Sequence, residues 1–302
     1  MKNMIYSFLL VLVLALASCT NPKPTSPHSL KVVKLGSGTT IITSTPEGID
    51  CRENCDFIFP YGKTVKLNVV AAKSSMFTGW DGDCFGSGSC ELNMKQDKTV
   101  SANAINLVCS NPPNIVDKNL EKLIKATLHK TANLSCTDLK NLKLLEDEDR
   151  PGKAVISNLE GLQFASNLEL LKLPNNRINN ISALATLSKL KKLYLDYNQI
   201  SNLTPIENLV GLRVLAITHN KIRNLLPLRN FEKLEGLDLN SNMIDDISVL
   251  VQNSHITGKD LILDLMGNCL DITSGEDLNN LRILKSRGID LYYQPQGRCG
   301  KQ

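Results

Sequence analysis

Aliphatic residues recur in a fixed frame along the second half of the chain, with a period of 22 residues. In each copy, three leucines or isoleucines are followed by an asparagine and an isoleucine, as in Leu168, Leu171, Leu173, Asn176 and Ile178. The alternation of apolar and polar positions predicts a short strand in each copy. The constant period predicts that the copies stack side by side.

This frame resembles the signature of leucine-rich repeats. The resemblance implies an α/β fold, a leucine-rich repeat solenoid of 22-residue repeats whose strands line a concave face. The recurring asparagine is expected to be a buried rung that bonds the turn after each strand. The expected ladder comprises Asn176, Asn198, Asn220, Asn242 and Asn268, the last of which follows after 26 residues.

Segments with the patterns of caps flank the repeats. Residues 117–129 predict an amphipathic helix that Asp117 can cap, and residues 136–145 predict a degenerate first coil. Together with Ile156-Ser157-Asn158-Leu159-Glu160-Gly161-Leu162, they resemble the helical N-terminal cap of internalin-like repeat proteins. Such a cap is needed because the end of a solenoid would otherwise expose its apolar core.

The C-terminal end of the repeats has its own pattern. The four extra residues before Asn268 fall around residues 251–259, where we expect a short helix. Residues 278–284 predict a closing helix, and residues 289–293 predict a last strand.

The segment that precedes the cap consists of short alternating stretches interrupted by glycine. Strands are expected at residues 30–35 and 39–44, joined as a hairpin by Gly36-Ser37-Gly38, and at residues 64–71 and 99–105.

The most specific motif of this segment is Gly79-Trp80-Asp81-Gly82-Asp83-Cys84. With Tyr61-Gly62-Lys63-Thr64-Val65 and Pro46-Glu47-Gly48, it resembles the small surface domain related to the internalin B-repeat. The resemblance implies an all-β spacer or an aid to adhesion. Trp80, the only tryptophan, is either a ligand platform or a core residue, and the small size of the domain favours the core.

The N-terminus has the features of an export signal. Lys2 precedes an apolar run from Ile5 to Ala17, which is too short for a membrane-spanning helix. The run ends in Leu16-Ala17-Ser18-Cys19, which resembles the lipobox of bacterial lipoproteins. The resemblance implies cleavage before Cys19 and acylation of that residue, and Thr20 then favours the outer membrane. An ordinary secretory signal with a chance cysteine is the alternative.

These patterns divide the chain into four parts. We expect a lipoprotein signal peptide at residues 1–18 and a lipidated, proline-rich linker at residues 19–29. A small β repeat domain follows at residues 30–108, and a leucine-rich repeat domain with its caps occupies residues 109–302.

The nine cysteines are consistent with export. Lipidation of Cys19 leaves eight, an even number that suits an oxidising compartment. Their spacing predicts the disulfide pairs Cys51–Cys55, Cys84–Cys90, Cys109–Cys136 and Cys269–Cys299. A four-cysteine zinc site in the β domain is the alternative, but zinc sites prefer more closely spaced pairs.

The net charge is small. Removal of residues 1–18 takes away one lysine, Lys2, which lowers the formal charge from +4 to +3. Such a small excess gives no electrostatic footprint for nucleic acid, so we expect no nucleic-acid partner. We expect a monomer.

The variable positions between the leucines are the candidate ligand-binding residues of the concave face. Tyrosines among hydroxyls, amides and charges make a binding composition. The candidates are Lys172, Lys192, Tyr194, Asp196, Tyr197, Thr218, His219, Asp238, Asn240, Ser241 and Asp264. A merely solvated sheet face is the alternative. Five strands about 4.8 Å apart give a patch on the order of 300 Å², which suits a peptide, a loop or a glycan.

The sequence therefore favours a cell-envelope lipoprotein that binds a protein or a glycan, such as an adhesin or a host-interaction factor. A periplasmic envelope-structural lipoprotein is the alternative. A hydrolase would have to use His219 with Thr218 and Asp196 or Asp238. An open sheet offers neither an oxyanion hole nor a cleft that excludes water, so we expect no enzyme, no cofactor and no metal site.

Overall fold

The computed structural model describes residues 26–52, 55–147 and 155–297. These residues form a small all-β module followed by a curved solenoid, so the expected fold class is confirmed. The export signal and Cys19 lie outside the described residues. Within the described ranges, no helix is long and apolar enough to cross a membrane.

The β module has two sheets. Its strands are β1 (His28–Leu35), β2 (Thr40–Thr45), β3 (Asp56–Phe59), β4 (Thr64–Ala71), β5 (Ser75–Gly82), β6 (Cys90–Asn93) and β7 (Lys98–Asn106). The strand orders are β3-β1-β7-β5 and β2-β4-β6. Alternating side chains from both sheets form one core, in which Leu30, Ile42, Val65 and Val100 are completely buried.

Trp80 belongs to this core. Its side chain is completely buried, its Nε1 donates to the Gly88 carbonyl at 2.9 Å, and its ring contacts Phe77 edge-on. A buried ring whose one donor is satisfied is a stable arrangement. The Cys51–Cys55 and Cys84–Cys90 bonds adjoin the same core, so the expected disulfide-bonded β domain is confirmed.

The expected hairpin between β1 and β2 is wrong. β1 pairs with β3 and β7, whereas β2 pairs with β4 in the other sheet. Gly36 and Gly38 carry the chain closely over β7: an added Cβ would lie 2.1 Å from Ala104 O and 2.7 Å from Ile105 N, respectively. These glycines therefore permit a close backbone crossing between sheets. β1 also begins at His28, inside the expected linker.

The solenoid contains seven short parallel strands. After α1 (Lys118–Thr127) and α2 (Cys136–Asn141) come β8 (Leu144–Glu146), β9 (Leu170–Lys172), β10 (Lys192–Tyr194), β11 (Val214–Ala216), β12 (Gly236–Asp238), β13 (Ile262–Asp264) and β14 (Asp290–Tyr292). These strands lie side by side in chain order. The convex side carries 3₁₀ helices at Leu162–Phe164, Ser182–Leu184, Thr204–Ile206 and Leu226–Leu228, then α3 (Ser248–Gln252) and α4 (Gly275–Ser286).

The expected sheet of five strands is too small. β8 comes from the degenerate first coil and β14 from the last strand, and both pair in register with their neighbours. Leu145 and Leu291 take the place of the regular inward leucines. Seven strands enlarge the concave patch to roughly 440 Å² by the same estimate.

The helix expected around residues 251–259 begins earlier. α3 starts at Ser248, 22 residues after Leu226, which starts the preceding 3₁₀ helix. α3 therefore replaces a 3₁₀ helix at the regular position in the repeat. The extra residues form the turn that follows it.

The N-terminal cap is fixed to the repeats by Asp117. Its Oδ1 accepts the N–H groups of Asn119 and Leu120 at the start of α1, at 2.9 and 3.2 Å. Its Oδ2 accepts the Ser157 N–H at 2.8 Å. The Cys109–Cys136 disulfide joins α2 to the segment before the cap. Cys269 is also disulfide-bonded, and Cys299 lies outside the described residues.

The recurring asparagines are buried between coils, with no more than 8% of their surface exposed. Asn220 Oδ1 accepts the Ile200 N–H of the preceding coil at 2.8 Å. Asn220 Nδ2 donates to Leu195 O of that coil at 3.0 Å and to Ile217 O of its own coil at 3.2 Å. Asn198, Asn242 and Asn268 repeat this pattern. Each amide thus satisfies buried backbone groups in two adjacent coils.

The β module packs directly against the convex side of the solenoid. Thr78 Oγ1 donates to Ser182 Oγ at 3.0 Å, and Gly86 N donates to Thr204 Oγ1 at 3.2 Å. The three side chains in these bonds are buried. The two parts therefore share a packed interface.

Candidate functional site

The register of the parallel sheet arranges the side chains of the concave face in rows. One row runs through Glu146, Lys172, Tyr194, Ala216, Asp238, Asp264 and Tyr292. Asp196, Thr218 and Asn240 form the next row, and Tyr197, His219 and Ser241 form the one after it. Adjacent strands lie about 4.8 Å apart, so consecutive repeats make one continuous surface.

The parallel strands, one in each repeat, and the asparagine ladder between the coils decide the class of fold. The fold is that of a leucine-rich repeat protein. In this leucine-rich repeat domain, ten of the candidate residues lie in the three rows, and Lys192 lies in the row before them, beside Val214 and Gly236.

Tyr197 and His219 form an exposed aromatic pair. Their rings are stacked, with centroids 4.0 Å apart and planes 15° apart. Both backbones are left-handed, with φ of 53° and 50°. The equivalent positions in the other repeats hold Asn175, Ser241 and Gly267, also at positive φ. Left-handed backbone costs most residues about 1–2 kcal/mol, and Tyr197, still 49% exposed, recovers little of this by burial.

Three aspartates form the anionic part of the concave face. Asp238 and Asp264 are paired in register on adjacent strands, and Asp196 lies nearby. Burial raises the pKa of Asp238, and the charges of Asp264 and Asp196 add to this rise, whereas the hydrogen bond from the Asn240 N–H and, to a smaller extent, His219 oppose it. The partners of these carboxylates among the described residues are backbone N–H groups and the Asn240 amide. A cation could therefore still be accommodated there.

The cationic residues lie towards the N-terminal side of the face. Lys172 and Lys192 come from the first two regular repeats, and both are exposed. Glu146 of β8 is paired in register with Lys172, so the lysines of β9 and β10 lie between that carboxylate and the aspartates of β12 and β13.

Small residues lie between the lysines and the aspartates: Ala216 and Gly236, beside Val214. None of the three is among the residues predicted from the sequence. A Cβ added to Gly236 would meet only the Val214 side chain, 3.7 Å away, so the surface here is open. The signal was available, because residues 214 and 216 follow Lys192 and Tyr194 by one 22-residue period.

A second asparagine series, also missed from the sequence, shapes the convex side. It comprises Asn158, Asn180, Asn202 and Asn224, with Asp246 one period later. Each side-chain Oδ1 accepts the N–H two residues further on, at the start of the convex turn. In two repeats the amide also reaches the β module: Asn180 Nδ2 donates to Asn103 Oδ1 and Asn202 Nδ2 to Trp80 O.

The hydrolase constellation is not assembled in the described structure. The His219 ring stacks on Tyr197, and the acceptor Asp196 Oδ1 is occupied by the Thr218 backbone N–H at 2.9 Å. Within the described ranges, no group of three or more histidine, cysteine, aspartate or glutamate side chains could hold a metal ion.

Comparison with known proteins gives structural similarity only. No protein-family model matches the chain, and no curated protein sequence does. Similar solved structures include an internalin of Listeria monocytogenes, with 24% identity and a TM-score of 0.47 over 60% of this chain and 56% of that one. Internalin C2 of the same organism has 24% identity and a TM-score of 0.35, over 59% of this chain and 93% of that one.

A leucine-rich repeat protein of Leptospira interrogans has 24% identity and a TM-score of 0.42, over 53% of this chain and 38% of that one. The chain therefore spans little more than half of the first internalin. The leucine-rich repeat fold rests on the seven parallel strands of this chain, and function has to be inferred from its own residues.

Proposed function

We propose that the chain is an exported, membrane-anchored lipoprotein that binds a protein or glycan ligand through the concave face of its repeat domain. The observation that carries the proposal is the Tyr197–His219 pair. Two stacked rings are held on strained backbone and left exposed, although asparagine or glycine would fit the same positions at lower cost. A cost in folding free energy that burial of the rings does not recover can be offset by the free energy of ligand binding.

The charges of the face favour a protein ligand that presents a lysine or an arginine. Its aliphatic stem would cover the small residues Ala216 and Gly236. Its cationic head would lie near Asp238 and Asp264, whose carboxylates have no cation among their described partners. A cation there would also offset the burial and the carboxylate repulsion that together raise the pKa of Asp238.

The size of the face favours a segment of a protein over a whole globular surface. A patch of roughly 440 Å² is about half of the 800 Å² that each partner buries in a standard interface. A loop or an extended peptide that lies across the sheet satisfies this limit.

A site-specific photo-crosslinker at residue 197 tests this assignment in intact cells. We expect a discrete adduct when benzoylphenylalanine replaces Tyr197, because that position lies at the proposed contact. The matched control is the same replacement at Leu226, which is 48% exposed on the convex side. Equal labelling at both positions, or an adduct only at residue 226, would rule out the concave face.

Anchoring through Cys19 is tested by fractionation. The disulfides of the described residues support an oxidising compartment outside the cytoplasm. We expect Cys19→Ser to move the protein from the membrane fraction to the soluble fraction and to abolish labelling by palmitate. Thr20→Ala should remain membrane-bound, and membrane retention of Cys19→Ser would contradict the lipid anchor.

A further inference from the structure

A cleft of 520 Å³ lies between the β module and the convex edge of the solenoid, away from the concave sheet. The β module contributes Leu35, Gly36, Asp81 and Asn103, and the repeats contribute residues 157–160 and 179–183 together with Gln199, Ser201, Asn202, Pro205 and Lys221. Small-molecule sites have volumes of about 300–1,000 Å³ and occur preferentially where domains meet. The volume and position of this cleft fit a ligand site.

The walls of the cleft are fixed relative to each other. Asn180 Nδ2 donates to Asn103 Oδ1 at 3.1 Å, and Asn202 Nδ2 donates to Trp80 O at 3.0 Å. Ser37 and Glu160 form a further hydrogen bond across the same junction. A ligand would therefore meet a preformed site and would not have to order its walls.

The lining is rich in uncharged polar groups. Asn179, Gln199 and Ser201 are exposed to the cleft and lie in successive convex segments. Amides and hydroxyls offer both donors and acceptors, which is the pattern that sugar hydroxyls complement because each hydroxyl donates one bond and accepts others.

The charges of the cleft argue against an anionic ligand. Asp81 and Glu160 outnumber Lys221, and the described lining contains no arginine or histidine. Asp81 Oδ1 accepts the Gly82 N–H at 2.8 Å, and burial raises the pKa of this carboxyl. A phosphate or sulfate would meet net negative charge, whereas a hydroxyl could donate to Asp81.

We propose that this cleft binds a neutral oligosaccharide, with Asp81, Asn179, Gln199 and Ser201 as the hydrogen-bonding residues. Ile181, Ala183 and Pro205 lie at the base of the cleft and are buried, so the polar residues make most of the accessible wall. The site lies on a different surface from the proposed concave ligand site, so the two proposals can fail separately.

Calorimetric titration of the soluble chain from residue 20 tests the site. The probes are maltotetraose, cellotetraose and chitotetraose, with a heparin tetrasaccharide as the anionic comparison. We expect at least one neutral tetrasaccharide to bind and the heparin fragment not to bind. Failure of all three neutral probes, or preference for heparin, would overturn the proposal.

Two variants locate the binding. Ser201→Trp should reduce the affinity at least 10-fold by filling the cleft, and the smaller change Gln199→Ala should reduce it measurably without adding bulk. The matched control is Arg223→Trp, one period after Ser201 and outside the lining, which should bind like the unaltered chain. If Tyr197→Ala abolishes saccharide binding and Ser201→Trp does not, the sugar binds to the concave face and the cleft proposal is wrong.

Discussion

Replacement of Asn220 by alanine is expected to lower the free energy of unfolding by roughly 3–5 kcal/mol, because several buried backbone groups lose their partner at once. The Ile200 N–H and the Leu195 carbonyl belong to the preceding coil, and the Ile217 carbonyl belongs to the same coil. No water can replace the amide without a cavity that is polar and large enough to hold it. The effect is large because one side chain serves two coils.

Urea unfolding of Asn220→Ala and Asn208→Ala measures this effect against a matched control. Asn208 is exposed on the convex side, so its replacement should change the stability by no more than about 0.5 kcal/mol. Similar unfolding midpoints for the two variants would show that the ladder does not hold the coils together. A broadened transition for Asn220→Ala would show instead that the repeats had become uncoupled.

The repeat architecture could be predicted because the apolar positions recur with a short, constant period in the sequence. Leu193, Leu215 and Leu237 recur at 22 residues, and each must point inward if the coils are to bury a continuous core. The asparagine positions follow from the same frame. The last strand was predicted at residues 289–293, where β14 lies, whereas the first strand was not predicted, because Leu145 stands in an incomplete frame and β8 is recognised by its backbone pairing.

The arrangement of the β module could not be predicted from local pattern. Gly36-Ser37-Gly38 has the composition of a hairpin turn, but its role is set by the backbone of β7, some 70 residues away in the chain. The same holds for the contact between Thr78 and Ser182, which are 104 residues apart. Such contacts depend on how the folded β module packs against the folded repeat domain. The periodic sequence pattern does not specify that packing.

The candidate site contains residues whose positions could be predicted from the sequence and a backbone conformation that could not. The period places Tyr194, Asp238 and Asp264 in one row, and the sheet register has them there. The left-handed backbone of Tyr197 is not encoded in a tyrosine, because tyrosine has no preference for positive φ. It is imposed by the turn into the asparagine ladder. The strain that motivates a binding role is therefore visible only in the structure.

If Tyr197 binds a ligand, one substitution at this position should affect stability and affinity differently, because the left-handed backbone disfavours tyrosine whereas binding requires its ring. Tyr197→Asn removes the ring and supplies a residue that tolerates left-handed backbone, as Asn175 does one repeat earlier. Stability should be unchanged or should rise by about 1 kcal/mol. An exposed aromatic anchor contributes roughly 2 kcal/mol or more to binding, so affinity should fall about 30-fold or more.

The double variant Tyr194→Ala/Tyr197→Asn should lose at least about 100-fold in affinity, because both large side chains of the central repeats are then absent. Ser188→Ala is a suitable control, since Ser188 is exposed outside the concave rows. It should leave both affinity and stability unchanged.

The most direct measurement is the Kd of the partner captured at residue 197, determined for the unaltered chain and for Tyr197→Asn alongside their thermal unfolding. We expect the variant to melt at the same temperature or higher and to bind at least about 30-fold more weakly. Unchanged affinity in a fully folded Tyr197→Asn protein would contradict the concave face as the ligand site.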